Sequence, residues 1–161
     1  MNEKNNFHEL LIKAERFCAY QERCSYEVKQ KLKELGAGVN ETEAIILSLQ
    51  EDDFQNDERF ARLFTSGKFR IKRWGKNKIC AELRMRHIPD SFIKKGLDAI
   101  NEEDYLKTLK ELAKKKEREV KSKNLKDKNQ KIGMFLLSKG FESELIWKAL
   151  KSPSHWGEGL G

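Results

Sequence analysis

The segment KFRIKRWGKNK, Lys68–Lys78, concentrates six basic side chains and no acidic one within eleven positions. Ammonium and guanidinium groups bind phosphate oxygens, and Arg can do so through two parallel N–H donors. Phe69, Ile71 and Trp74 stand among these cations and offer apolar surface for stacking on a base or for insertion into a protein groove. The chemistry that this segment favours is therefore the binding of a polyanion.

Charge is distributed unevenly along the 161 residues, although the net charge is +7. Residues 1–67 hold 9 Lys or Arg against 13 Asp or Glu, whereas residues 68–95 hold 10 against 2. Residues 107–131 hold 11 against 4. This asymmetry indicates a negatively charged partner that meets the middle and late parts of the chain. The alternative is that the lysine-rich stretches are solvated helix faces.

Residue types that could support catalysis or hold a metal lack the necessary spacing. The three cysteines form no CxxC pair, and the three histidines are far apart in the sequence. Glu51, Asp52 and Asp53 cluster in one turn without the ordered spacing of metal ligands. There is no glycine-rich phosphate loop and no GxSxG motif. We expect reduced buried thiols, no metal, no cofactor and no enzymatic activity.

The element that positions the basic segment follows from the periodicity of the apolar residues before it. One face of a 3.6-residue helix collects Phe60, Leu63, Phe64, Gly67, Ile71 and Trp74. This pattern predicts a helix over residues 56–74 that Asn56 or Asp57 caps and Gly75 ends. On that helix Phe69 lies opposite the apolar face, exposed among cations. The alternative for Phe69 is packing against a neighbouring helix of the same chain.

Three stretches of the sequence repeat one apolar pattern. EVKQKLKELGA, KICAELRMRHI and KIGMFLLSKGF align at offsets of 51 and 53, and each precedes a second short apolar segment. This repetition predicts a three-helix unit used three times. The first helices are expected at 6–22, 56–74 and 101–120, the second at 25–36, 76–87 and 128–140, and the third from Asn40 or Thr42, Asp90 and Ser143. Gly36, His87 and Gly140 occupy equivalent positions at the ends of the second helices.

The sequence therefore predicts an all-α protein of three tandem three-helix, helix-turn-helix-like repeats that form an elongated, curved array. The expected repeats are residues 1–52, 53–100 and 101–150, followed by a disordered tail at 151–161. The third helices are too apolar for base readout, which disfavours sequence-specific duplex recognition. Neither a long apolar run nor a secretory signal is recognisable, so a cytoplasmic location is expected.

Two segments of the middle repeat resemble the RecX family of bacterial regulators of the RecA recombinase. They are NDERFARLF, residues 56–64, and KFRIKRWGKNKICAELRMRHI, residues 68–88. CSYEVKQKL and LLSKGF in the outer repeats fit as well, so the resemblance spans residues 8–150, and the W-G-K junction resembles Bacteroidetes members. The RecX fold of three tandem three-helix repeats agrees with the repetition found here. The lysine-rich junction KKKEREVKSKNLKDKNQK is longer than its counterpart RWGKNK. The sequence therefore does not fix the residue at which the first helix of the third repeat ends.

The resemblance implies a monomer that binds the filament of RecA and single-stranded DNA, without sequence preference for the DNA. It implies inhibition of filament extension, ATP hydrolysis, strand exchange and coprotease activity. A free-standing helix-turn-helix-type nucleic-acid-binding protein is the alternative. The residues expected to contact filament or nucleic acid are Lys68, Phe69, Arg70, Lys72, Arg73, Lys76, Lys78, Arg84, Arg86, Lys115 and Lys121. The residues expected to have structural roles are Asp57, Phe60, Ala61, Trp74, Gly75 and Leu83.

Overall fold

A computed structural model describes residues 3–151, and within that range the chain forms nine α-helices and no β-strand. The helices are α1 Glu3–Tyr20, α2 Ser25–Glu34, α3 Val39–Glu51, α4 Asp57–Arg70, α5 Lys76–Met85, α6 Asp90–Asp98, α7 Glu102–Glu119, α8 Leu125–Ser138 and α9 Ser143–Leu150. The predicted all-α class is confirmed. The predicted disordered tail, residues 151–161, lies outside the described residues except for Lys151.

The chain divides into two compact units. Unit 1 contains the described residues up to Leu63 together with Leu83–Ile93, and unit 2 contains Phe64–Glu82 and the described residues from Lys94 onward. Helices α4, α5 and α6 of the middle repeat therefore contribute residues to both units. The repeat boundaries given above remain a sequence-based division.

The core of unit 1 is built from one face each of α1, α2 and α3. Its buried members are Leu10, Ala14, Cys18, Val28, Leu32, Ile45, Ile46 and Leu49. Burial raises the pKa of the Cys18 thiol to about 11 and that of the Cys24 thiol to about 12. Both thiols are therefore neutral near pH 7, as expected of cysteines that serve as small apolar core residues.

The core of unit 2 is built mainly from α7, α8 and α9. Its buried members are Tyr105, Leu109, Leu112, Ala113, Ile132, Leu136, Phe141, Ile146 and Leu150. The rings of Tyr105 and Phe141 are 5.2 Å apart between their centres, and both are fully buried. These two aromatic side chains join the start of α7 to the turn that follows α8.

The predicted equivalence of the second helices is confirmed residue by residue. Gly36, His87 and Gly140 all adopt positive φ, at 85°, 56° and 97°. The N–H of each following residue donates to the carbonyl oxygen five positions back, in Leu32, Leu83 and Leu136, at 2.9, 3.1 and 3.2 Å. These bonds are the 6→1 bonds of a Schellman motif, which satisfies carbonyls at a helix end. His87 thus has the predicted helix-end role.

The predicted end of α4 is wrong, and its predicted buried face is wrong in part. The helix stops at Arg70 instead of residue 74 because Arg73 adopts a φ of 56° and the Trp74 N–H donates to the Lys68 carbonyl oxygen at 3.1 Å. Leu63 is 46% exposed and Ile71 is 80% exposed, although both were assigned to the apolar face. Phe60 is buried as predicted, whereas the other buried residues of α4, Ala61 and Thr65, lie off the predicted face.

Two helix starts are capped by side chains that come from a later helix of the chain. In unit 1 the Asp57 carboxylate accepts the Ser25 N–H at the start of α2, at 2.8 Å. In unit 2 the Tyr105 hydroxyl accepts the Lys76 N–H at the start of α5, at 3.0 Å. The start of α4 itself is capped by Asn56, whose side chain accepts the Arg59 N–H at 2.8 Å. Each cap satisfies an N–H that has no partner within its own helix.

Candidate anion-binding groove

The turn after α4 is fixed against the end of α8 by backbone contacts in unit 2. The Gly75 N–H donates to the Lys139 carbonyl oxygen at 2.8 Å, and the Asn77 N–H donates to the Gly140 carbonyl oxygen at 2.9 Å. A Cβ added to Gly75 would lie 2.3 Å from the Gly140 carbonyl carbon, so only glycine permits this approach. Gly75 was expected to end α4, but the helix ends at Arg70, and the structural role of Gly75 is instead to allow the close approach of two backbones.

This contact places the basic turn beside α7 and α8, where it forms one wall of a groove. The groove has a volume of about 320 Å³. Five cationic side chains line it together with three apolar ones and one acid: Ile71, Lys72, Arg73, Leu112, Lys115, Lys116, Glu119, Phe135 and Lys139. The predicted binding residues Lys72, Arg73 and Lys115 therefore come together in one concave site.

Lys139 is a partly buried cation of this groove. Its ammonium group donates to the Lys72 carbonyl oxygen at 2.8 Å. Partial burial lowers the pKa of Lys139, and the positive charges of Lys78, Lys72, Arg73 and Lys115 lower it further. The surroundings of this ammonium group thus have an excess of positive charge, which a bound anion would relieve.

Only part of the positive charge in the groove is compensated internally. Arg73 lies 3.4 Å from the Glu111 carboxylate, and Lys116 lies 3.7 Å from Glu119. Among residues 3–151, Lys72, Lys115 and Lys139 have no carboxylate within ion-pair distance. Three ammonium groups at one groove are therefore available to a negatively charged ligand.

Two further predicted binding residues, Lys68 and Lys78, contact the ring of Trp74. The Lys68 and Lys78 ammonium groups lie 4.9 and 4.5 Å from the centre of its ring, at cation–π distance. Phe64 meets the same ring edge-on at 6.4 Å. Trp74 was expected to have a structural role, and its ring is half-buried. In the structure this ring contacts two lysine side chains at the surface of unit 2.

Lys76 is engaged within the fold. Its backbone N–H donates to the Tyr105 hydroxyl, while its ammonium group lies 4.8 Å from the Tyr105 ring centre and 3.6 Å from the Glu102 carboxylate. Tyr105 in turn donates a short hydrogen bond to Glu142. Burial and this carboxylate raise the pKa of Tyr105 above its usual range. These contacts give Lys76 a structural role, and the binding role expected for it stays a prediction.

The predicted exposure of Phe69 is wrong. Its ring packs against the core of unit 2 and lies 5.9 Å from the Tyr105 ring centre. The alternative weighed for it, packing against a helix of the same chain, is the one found. The error follows from the misplaced apolar face of α4, because Thr65 and Phe69, four positions apart, share the face that is buried.

The remaining predicted cations do not line the groove. Arg70 and Lys121 are exposed in unit 2. Arg84 and Arg86 belong to unit 1, where they lie 3.4 Å from Asp90 and 3.6 Å from Glu27. A binding role for these four remains a prediction.

The predicted structural residues of the middle repeat have identifiable roles. Phe60, Ala61 and Leu83 are buried in unit 1, and Asp57 caps α2. Sequence reasoning missed Lys116, Phe135 and Lys139 as groove residues and Tyr105 as a cap. A signal for Lys139 was present, because a lysine directly before the Gly140 helix end lies at the negative end of the α8 dipole.

The part of the chain that the structure describes holds neither a group of metal ligands nor a membrane-spanning helix. No three His, Cys, Asp or Glu side chains of residues 3–151 lie where they could hold a metal ion. Across the same residues no helix has the length and apolar character needed to cross a bilayer.

Comparison with known proteins gives the family. The second and third three-helix domains of RecX match residues 56–97 and 102–150. The regulatory protein RecX of Clostridium tetani is 31% identical over 153 residues, which cover 93% of this chain and 68% of that relative. The chain belongs to the RecX family. A Geobacillus regulatory protein RecX is 26% identical over 92% of the chain and 54% of the relative, so RecX relatives extend beyond the length matched here.

A solved RecX structure has the same fold. The crystal structure of RecX from Lactobacillus salivarius superposes with a TM-score of 0.85, covering 94% of this chain and 99% of that one, at 22% identity. The similarity extends the helical repeat architecture of the RecX family to this chain. The groove of unit 2 is therefore formed within the RecX fold, by the second and third of its three-helix domains.

Proposed function

We propose that this RecX-family chain is a negative modulator of RecA that binds the RecA–single-stranded-DNA filament. In this proposal it restrains filament extension, ATP hydrolysis, strand exchange and the coprotease activity that induces the SOS response. It thereby limits DNA recombination and repair in the cytoplasm, acting as a monomer. Membership of a family whose relatives are named regulatory proteins supports this function, together with the cationic groove of unit 2.

The observation that carries the proposal is the set of three uncompensated ammonium groups of Lys72, Lys115 and Lys139 at one groove. Lysine contacts to phosphate supply affinity without sequence preference, because the phosphate backbone is the same at every base. Such contacts suit a regulator that acts wherever RecA has assembled on DNA. Binding of this kind weakens steeply with salt, since each neutralised phosphate releases counterions.

The direct test is RecA-driven ATP hydrolysis on single-stranded DNA in the presence of the purified chain. We expect inhibition at amounts well below one chain per RecA protomer. Unchanged hydrolysis at equimolar chain would exclude the proposed regulation.

A charge-matched pair of variants tests the role of the groove. The triple change Lys72→Gln, Lys115→Gln and Lys139→Gln should reduce the slope of log affinity for single strands against log salt by about 2, since each lost contact accounts for roughly 0.7. The control removes three exposed lysines of unit 2 outside the groove, Lys107, Lys110 and Lys148. Equal slopes for the two variants would show that the groove has no special part in binding.

The helix-turn-helix alternative makes a different prediction. It requires tight binding to naked DNA without RecA and a preference among sequences. The third helices of the middle and last repeats bury Ile93, Ile146 and Leu150 in their units. The residues that these two helices leave exposed include no Arg, Asn or Gln, the side chains typical of base readout. Titration against random single strands and duplexes separates the two functions.

A further inference from the structure

The groove of unit 2 has the size and shape of a small-molecule site. Its volume of about 320 Å³ lies within the range of clefts that hold small ligands. Its cations come from three separate parts of the chain: Lys72 and Arg73 from the turn after α4, Lys115 and Lys116 from α7, and Lys139 from the end of α8. A strand that only passed over the surface would not require cations to converge from three directions.

The charge to be neutralised is concentrated at one point. Lys139 donates one N–H to the Lys72 carbonyl and has two further N–H donors. Lys72 and Lys115 lack a carboxylate partner among the described residues, and their charges act on Lys139 at short range. A phosphodiester brings one negative charge per nucleotide, so a strand needs three successive nucleotides to compensate the three ammonium groups. A chain of linked phosphates brings several charges into the same space.

We propose that this groove binds a polyphosphate chain, as present in a nucleoside triphosphate or in inorganic polyphosphate, through Lys72, Lys115 and Lys139. Ile71 and Phe135 also line the groove and give it apolar surface beside the cations. The proposal concerns a free ligand, and it does not rest on binding to RecA or to DNA.

Isothermal titration calorimetry of the whole chain, without RecA, DNA or magnesium, tests this site. We expect inorganic tripolyphosphate to saturate one site per chain and to bind at least tenfold more tightly than orthophosphate at equal ionic strength. Lys139→Gln and Lys115→Gln should each weaken tripolyphosphate binding by roughly 10-fold or more, as loss of a charged hydrogen bond does. Lys148→Gln, an exposed lysine of α9, serves as the charge-matched control and should bind as the parent chain does.

A parallel titration with ATP distinguishes the two sources. Tighter binding of ATP than of tripolyphosphate assigns the groove to nucleoside triphosphates, whereas equal or weaker binding assigns it to inorganic polyphosphate. No saturation by either ligand, equal affinity for orthophosphate, or equal losses in the groove and control variants would overturn the proposal. Thermal melting of each variant shows whether it is folded, so that a loss of binding is counted only for folded protein. Lys115 is exposed, so its replacement leaves the core intact.

Discussion

The carboxylate of Asp57 accepts two hydrogen bonds from Ser25, one from its backbone N–H and one from its hydroxyl group, each 2.8 Å long. Asp57 is the first residue of α4, and Ser25 is the first residue of α2. The Gln55 side-chain amide donates to the same carboxylate at 2.8 Å. The DERFA segment that carries the family resemblance thus begins with a residue that joins two helices of unit 1.

Replacing Asp57 with Ala should lower the free energy of unfolding by about 1–2 kcal/mol, because the start of α2 loses its cap. Urea denaturation followed by circular dichroism measures this change. Glu43→Ala, an exposed position on α3, is the control and should stay within about 0.5 kcal/mol of the parent chain. Equal stability of both variants would show that the Asp57–Ser25 contact is dispensable.

Gly75 and Gly67 form a matched pair for testing the backbone contact at the groove. Gly75→Ala should destabilise unit 2 strongly, by about 3 kcal/mol or more, since the added methyl group would meet Gly140 backbone atoms at 2.3–2.4 Å. Gly67→Ala lies in α4 with no atom within 4 Å of the added Cβ, so it should stabilise the protein by about 0.5–1 kcal/mol. Thermal melting of both variants measures the two effects, and a stable Gly75→Ala chain would refute the close approach.

Phe69→Ala tests the corrected position of this ring. Because Phe69 packs on Tyr105 and the unit 2 core, its truncation should lower the free energy of unfolding by about 2–4 kcal/mol. Leu63→Ala, four positions before Gly67 on the exposed side of α4, should cost less than about 1 kcal/mol. Weakened filament binding by Phe69→Ala with unchanged stability would instead restore the original assignment of Phe69 to a binding surface.

The core positions of the second helices were predicted correctly because the same apolar pattern occurs in all three repeats. Leu32, Leu83 and Leu136 are all buried, and Gly36 and Gly140 end their helices as predicted. An apolar residue that is exposed in one copy is seldom apolar in the other two. A position that is apolar in all three copies is therefore a better guide to the core than one apolar residue in one helix. The ends of the second helices were accurate for the same reason, since a left-handed residue recurs at each of them.

The single helix α4 was misjudged where no repeat constrained it. Leu63 and Ile71 are apolar yet exposed, whereas Thr65 is polar yet buried, so hydropathy pointed to the wrong face. The cap provided by Tyr105 and the convergence on Lys139 depend on contacts between residues about 30 and 67 positions apart. Such contacts follow from tertiary packing, and no local pattern in one sequence encodes them.

Arg73 carries backbone strain at the point where the groove begins. Its φ of 56° is left-handed, which costs a non-glycine residue about 1–2 kcal/mol. Asp53 and His87 also have positive φ, but Asp and His tolerate this region better than Arg does. Strained residues persist where function requires their side chain. The guanidinium of Arg73 lines the groove. We propose that a binding role accounts for a residue other than glycine at this position.

Arg73→Gly should therefore raise the free energy of unfolding by about 0.5–1 kcal/mol while weakening the binding of single-stranded DNA. The lost ion pair with Glu111 offsets little of this gain, because both side chains are more than 40% exposed and surface pairs are worth about 0–1 kcal/mol. Gly36→Ala is the reverse control: it has positive φ and open space around the added Cβ, so it should lose about 1 kcal/mol. Urea denaturation and fluorescence anisotropy of a labelled oligothymidylate measure stability and binding. A less stable Arg73→Gly chain would mean that the Glu111 contact outweighs the strain, and unchanged binding would remove Arg73 from the binding surface.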